Sequence, residues 1–145
     1  MNKVLMIGLS VLANLSFSAC AMKSNRMVKQ RVLNEAFMKA VDKNQIKKVK
    51  NLVSQGADIE LQNKHGVTAL ISAAWKGNKD IVRMLLAKDA NVYLQNVDGN
   101  TALMEAAWKG NKDIVRMLLD KDANVDHQDK YGVTALMSAC YFGHA

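Results

Sequence analysis

Proline is absent from this sequence, and cysteine, aromatic residues and extended apolar runs are scarce. Two cysteines are too few for a disulfide framework, and the one marked apolar run, near the start, is far shorter than the ~20 residues of a membrane-spanning helix. With only 6% aromatic residues and an abundance of Ala, Leu, Met, Lys and Val, the composition favours helices over strands. We therefore expect one all-α domain in the 145 residues.

Motifs for chemistry are also lacking. No phosphate-binding loop, zinc-protease motif or serine-hydrolase motif occurs, so we expect no catalytic residue and no cofactor. Cys140 and His144 could supply two ligands on one helix face, but a closed zinc site needs four, so we expect no metal. Cys140 replaces Ala74 and Ala107 of matching segments, which predicts a small buried residue.

Nucleic acid is an unfavourable partner despite the net charge of +7. No helix carries a basic stripe with base-reading residues, and the lysines of the later segments alternate with acidic residues. We expect a solvated charged surface and no nucleic-acid binding.

The first 21 residues have the layout of a signal peptide. A basic start is followed by the apolar stretch Val4 to Leu12 and then by small residues, which predicts export from the cytoplasm. Two cleavage sites compete. Ala19-Cys20-Ala21 fits ordinary signal peptidase, whereas Phe17-Ser18-Ala19-Cys20 resembles a bacterial lipobox, with Phe17 where Leu is usual. In the second case Cys20 is the lipidation site, and the product is a membrane-anchored lipoprotein instead of a periplasmic protein.

Residues 22–33 contain basic residues and no acidic one. Beside an anionic membrane each positive charge adds about 1 kcal/mol of attraction, so the segment could be a basic tether. Alternatively it is the start of a first helix capped near Ser24, because apolar residues recur at helical spacing from Met27 to Val41.

A period of 33 organises the remainder. Residues 63–95 and 96–128 are identical at 25 of 33 positions. A partial copy covers residues 129–145, and a divergent copy covers residues 34–62. Such a period predicts a stack of repeats, and we place the repeat domain at 34–145.

Each complete unit contains two short helices. The first begins after Thr68, a good N-cap residue, and ends at Gly77, where left-handed backbone geometry is easily adopted. The second contains Ile81, Val82, Leu85 and Leu86, which share one helix face. A polar, glycine-bearing segment leads to the next unit and predicts a turn or short hairpin. Because residues 129–145 hold only a first helix, we expect the last unit to be a weak edge that frays or pairs with a second molecule.

This unit resembles an ankyrin repeat. The family's Thr-Pro-Leu-His-x-Ala motif is matched by Thr68-Ala69-Leu70-Ile71-Ser72-Ala73, without the proline and histidine. Asp89 and Asp122 occupy left-handed positions where the family prefers glycine. The resemblance implies a solenoid of paired antiparallel helices joined by short hairpins or turns.

The resemblance also implies a concave binding surface made of hairpin tips and first helices. We expect Trp75, Trp108 and Tyr141 to form an aromatic ladder flanked by lysines, either as anchors for a partner or as part of the stack. The protein-binding residues predicted on this basis are Trp75, Lys76, Trp108, Lys109, Tyr141, Phe142, His65, Val97, Asp98 and Tyr131.

The function implied is binding of another protein without catalysis. Lysines beside the aromatic rings would suit an acidic segment of that partner. Contact with a membrane is expected only through the lipid anchor and the basic tether. The alternative is an accessory or inhibitor subunit of an envelope enzyme.

Overall fold

A computed structural model describes residues 3–144, with side chains from Ala19 onward. These residues form seven helices and no strand. The helices are α1 (Lys3–Asp42), α2 (Ile46–Ser54), α3 (Ala69–Lys76), α4 (Lys79–Leu86), α5 (Ala102–Trp108), α6 (Lys112–Leu119) and α7 (Ala135–Tyr141). The predicted all-α class is confirmed. By its contacts the chain divides into two compact units, Met1–Leu33 and Asn34–Ala145.

The described residues of the first unit, 3–33, all belong to α1. The prediction of a first helix capped near Ser24 is wrong, because α1 runs through this residue. The physical reason is that no glycine or proline interrupts the chain between Cys20 and Asp42. Cys20 is exposed, as are several apolar side chains after it, including Met22, Met27 and Val32. Within the described residues, no helix combines the length and apolarity needed to cross a membrane. The predicted cleavage sites stay predictions.

The second unit is a two-layered stack. The first helices of successive repeats form one row, in which α5 contacts α3 and α7, and the second helices form another row, in which α4 contacts α2 and α6. Within each repeat, α3 packs on α4 and α5 packs on α6. The two complete repeats thus bury apolar side chains between their own two helices and against neighbouring repeats.

Short polar contacts begin and end these helices as the sequence predicts. The Thr68 hydroxyl accepts a hydrogen bond from the Ile71 amide at 3.2 Å, and Thr101 and Thr134 cap α5 and α7 in the same way. Gly77 ends α3 with φ of 74°. Asp89 and Asp122 adopt φ of 55° and 57°, so the expected left-handed positions are confirmed.

A buried amide connects neighbouring repeats. The Asn78 side chain donates to the carbonyl of Val41 at 3.2 Å, and the equivalent Asn111 side chain donates to the carbonyl of Ala74 at 2.9 Å. Each asparagine therefore gives a second hydrogen bond to a carbonyl at the end of the preceding first helix, which also accepts the backbone amide of Asn44 or Gly77. This contact fixes the spacing between repeats.

The end of the stack is less covered than its middle. Cys140 is exposed, so the prediction of a buried position is wrong, although the equivalent Ala74 and Ala107 are buried. In the described residues, nothing packs over α7 as α5 packs over α3. A cavity of about 410 Å³ lies between α6 and α7, lined by apolar side chains that include Leu103, Val115 and Leu119.

Candidate functional site

The hairpin tips are joined to one another by backbone hydrogen bonds. The Val97 amide donates to the carbonyl of His65 at 3.0 Å, and one repeat later the Lys130 amide donates to the carbonyl of Asp98 at 3.0 Å. Inside each tip an Asn or Asp side chain accepts two backbone amides, as Asn96 does from Asp98 and Asn100. The tips therefore form a rigid row whose side chains are free to vary.

Close approach between tips requires glycine. A Cβ built on Gly66 lies 3.0 Å from the backbone of Asn96, and one built on Gly99 lies 3.0 Å from the backbone of Asp129. Both glycines also have positive φ values, of 71° and 89°. Any larger residue would separate adjacent tips. Val97 and Tyr131 project from this row and are exposed.

The first helices carry a second row of contacts. Asp42, Trp75 and Trp108 stand one repeat apart, and each is contacted by the residue 34 positions later in the sequence. Lys76 Nζ lies 3.0 Å from the Asp42 carboxylate, Lys109 Nζ lies 4.4 Å from the centroid of the Trp75 ring, and the Phe142 and Trp108 rings are 5.5 Å apart. An ion pair, a cation–π contact and an aromatic pair thus occupy equivalent places.

This geometry changes the expected ladder. Trp75 and Trp108 are joined through Lys109, whose Nζ also lies 5.7 Å from the Trp108 ring centroid. Tyr141 contacts Phe142 at 5.0 Å and is otherwise very exposed. Lys76 does not flank an indole, because it pairs with Asp42. The indoles are 42% and 40% exposed, so each packs one side against the stack and presents the other to solvent.

Glu105 is a buried acidic residue in this row. Its side chain is only 6% exposed, and its Oε2 atom has no hydrogen-bond partner among the described residues. Burial raises the pKa of Glu105 above the ordinary 4.5, opposed by the charge of Lys109 and by a hydrogen bond with Asn100; the charge of Asp98 adds to the increase. Glu105 is not among the site residues predicted from the sequence.

A pocket surrounds Glu105 where two repeats meet. It measures about 290 Å³ and is lined by Val67, Ile71, Ser72, Trp75, Asn96, Asp98, Asn100, Glu105 and Trp108. Only eight of 33 positions differ between residues 63–95 and 96–128, yet six of these nine lining residues come from differing positions. These six residues come from four of the eight differing positions, so half of the divergence between the duplicated repeats lies at the pocket, and this divergence is the sequence signal that could have identified Glu105.

The predicted site residues divide into two groups. Trp75, Asp98 and Trp108 line the pocket, and Lys109 lies over its indoles. The remaining ones lie outside the lining: His65, Val97 and Tyr131 in the row of tips, Tyr141 and Phe142 at the last repeat, and Lys76 beside Asp42. The rows of tips and of ladder residues meet at the pocket, and together we call them the ladder face.

Metal-binding clusters are not found in the part of the chain that the structure describes, where no three His, Cys, Asp or Glu side chains converge. Cys20 and Cys140 are both free thiols.

Comparison with known families gives one match. A model described as ankyrin repeats matches three times, at residues 17–96, 37–129 and 89–145. No curated protein matches the chain significantly.

Proposed function

Since this chain belongs to the ankyrin-repeat family, whose repeats generally bind other proteins and are typically non-catalytic, we propose that its ladder face binds a specific protein partner. Residues of the face are rigidly placed by the tip-to-tip hydrogen bonds and by the stacked first helices. Rigid aromatic side chains with one open side are favoured anchors in protein interfaces.

One observation carries this proposal. Residues 63–95 and 96–128 are identical at 25 of 33 positions, and four of the eight positions that differ supply six of the nine residues that line the pocket between them. Divergence limited by stability alone should tolerate change at the exposed outer positions of α4 and α6, yet these two helices are identical in sequence. The pattern is that of a constant scaffold with a specialised binding surface.

Export is the second part of the proposal. The charge, apolar stretch and small residues of the first 21 positions support a signal peptide, and Cys20 supports attachment through a lipid. Several acyl chains on one cysteine would give stable anchoring, because each buried methylene contributes about 0.8 kcal/mol. The protein then works at the bacterial envelope, either anchored to a membrane or free in the periplasm. Mass spectrometry of the mature protein distinguishes acylated Cys20 from a start at Met22.

An acidic segment of the partner is best placed against the amino-terminal unit. Residues 1–33 hold five basic and no acidic residues, whereas residues 34–145 hold 15 basic and 13 acidic ones. Lys23, Arg26 and Lys29 are exposed in this unit. We propose that this segment contacts either acidic groups of the partner or an anionic leaflet.

Site-directed crosslinking tests the proposed binding face. A photoreactive phenylalanine analogue at Val97, on the row of tips, should crosslink a protein in intact envelopes, whereas the same analogue at Arg83, exposed on α4, should not. Equal crosslinking at both positions would contradict binding through the ladder face. If the captured protein is an enzyme whose rate changes on binding, the chain is its accessory or inhibitor subunit.

A further inference from the structure

The place of Glu105 is best understood from the repeat before it. There the equivalent residue is Ser72, whose hydroxyl donates a hydrogen bond to the Asp42 carboxylate at 2.8 Å. Lys76 Nζ donates to the same carboxylate at 3.0 Å. Ser72 and Lys76 therefore form a network in which both side chains donate to the same oxygen of the Asp42 carboxylate.

One repeat later the network is open. Trp75 replaces Asp42, and Glu105 replaces Ser72, so the acceptor that served the first network is gone and a new carboxylate faces an indole. Lys109, the counterpart of Lys76, lies over the Trp75 ring. Glu105 Oε2 is left buried without a hydrogen-bond partner in the described residues.

Such an atom is uncommon in folded proteins. Burying a carboxylate oxygen without a donor is costly, and more than about 90% of buried backbone polar groups and most buried side-chain polar atoms are paired. Serine at this position would avoid the cost, as it does at Ser72. Glu105 lies in a pocket open to solvent, of about 290 Å³, which is room for several waters of ~30 Å³ each and hence for one long side chain.

The pocket is also chemically matched to a cation. Asp98 and Glu105 are the charged residues in its lining, and both are acidic. Trp75 and Trp108 form aromatic walls, and Lys109 Nζ at 4.4 Å from the Trp75 centroid demonstrates that a cation is accommodated against an indole here. An acidic side chain entering the same space would face two carboxylates and the single ammonium group of Lys109.

We infer that the pocket between α3 and α5 receives an arginine side chain of the protein partner. This inference rests on the proposed function. The planar guanidinium stacks on the indoles and donates to Oε2 of Glu105, with further donors directed to the Asp98 carboxylate and to the side-chain oxygen of Asn100. Arginine suits this site better than lysine because it is less strongly hydrated and has five donors in a fixed plane.

The two tryptophans of the chain, Trp75 and Trp108, both line the pocket, so intrinsic fluorescence reports on its occupancy. The probe is the peptide acetyl-Gly-Gly-Arg-Gly-Gly-amide, titrated beside its citrulline analogue, which keeps the shape and loses the charge. We expect a saturable change in emission with the arginine peptide, and binding weaker by about tenfold or more with citrulline, since a hydrogen bond to a charged group is lost.

Variants assign the effect to Glu105. Glu105→Gln should weaken binding of the arginine peptide by about tenfold or more. Asp113→Asn, which removes one carboxylate at a distant exposed site, should leave the affinity for this peptide unchanged. Glu105→Ser introduces the residue that the chain itself has at Ser72 and Ser138, so it should fold and should lose the same binding. Equal affinities for the two peptides, or for wild type and Glu105→Gln, would overturn the inference.

Failure of this inference is distinguishable from failure of the proposed function. If the peptides do not discriminate but crosslinking from Val97 still captures a protein, the ladder face binds a partner without an arginine in the pocket. If the arginine peptide binds more tightly than the citrulline peptide but crosslinking from position 97 captures nothing, the pocket binds cations and the proposed protein-binding face is wrong.

Discussion

Two helices of identical sequence have different surroundings in this protein. Both α4 and α6 read Lys-Asp-Ile-Val-Arg-Met-Leu-Leu, yet Leu86 in α4 is 4% exposed and the equivalent Leu119 in α6 is 41% exposed. The difference arises because α6 packs against α4, while no described helix packs over the outer face of α6. In a stack of repeats, the burial of a residue is thus set by the next repeat as much as by its own sequence.

The ladder face shows the same effect on polar residues. Lys76 forms an ion pair with Asp42, whereas the equivalent Lys109 forms a cation–π contact with Trp75. A change in one repeat alters the contacts available to a residue in the next. The divergence of two nearly identical repeats can therefore create a pocket without disturbing the fold.

The largest expected difference concerns the two matched leucines. Leu86→Ala should destabilise the protein by about 2–4 kcal/mol, within the usual range for a buried leucine, whereas Leu119→Ala should cost less than about 1 kcal/mol because much of that side chain is in water. Urea unfolding of the two variants measures both. Similar losses would mean that α6 is covered in solution.

A smaller effect is expected for the indoles. Trp75→Ala and Trp108→Ala should each lower the unfolding free energy by about 1–2 kcal/mol, less than the ~3–5 kcal/mol of a fully buried tryptophan. Thermal melts give these values, and iodide should quench the wild-type emission. A loss as large as that of a buried residue, with emission that iodide does not quench, would place the rings in the core.

The pH dependence of stability should report on the burial of Glu105, which replaces the Ser72 of the preceding repeat. Burial raises the pKa of Glu105 in the folded protein. The contribution of the protonated side chain to folding stability is therefore fully present below the ordinary pKa of 4.5 and is lost as the pH rises through the raised value. Wild type should therefore lose stability relative to Glu105→Gln over that interval. Parallel curves of unfolding midpoint against pH for the two proteins would contradict the burial of this carboxyl.

The smallest effect is expected at the ion pair between α4 and α6. Lys79 Nζ lies 2.6 Å from the Asp113 carboxylate, and this hydrogen bond, followed by the charge of Lys79, lowers the pKa of Asp113 below 3.8. The contribution of the Asp113 carboxylate to folding stability is present above the ordinary pKa and declines as the pH falls through the lowered pKa. Asp113→Asn should slightly reduce the midpoint at neutral pH and leave it unaffected in strong acid. An equal reduction at both pH values would exclude an ionic cause.

Features that depend on one repeat could be predicted from the sequence. The Thr68 cap, the end of α3 at Gly77 and the left-handed Asp89 are fixed by local backbone chemistry, and the 33-residue period fixed the stack. Cys140, Lys76 and Glu105 could not be placed, because their exposure and partners are determined by residues about one repeat away. The cap expected at Ser24 was wrong because capping residues also occur inside helices.

The most direct test of binding through the ladder face is a fluorine spectrum. Incorporating 5-fluorotryptophan labels Trp75 and Trp108 and gives two 19F signals, which are assigned with the single Trp→Phe variants. The unlabelled partner, identified by crosslinking from position 97, is then added. We predict that both signals shift and become shielded from iodide. A complex in which both signals keep their positions and their sensitivity to iodide would contradict the account.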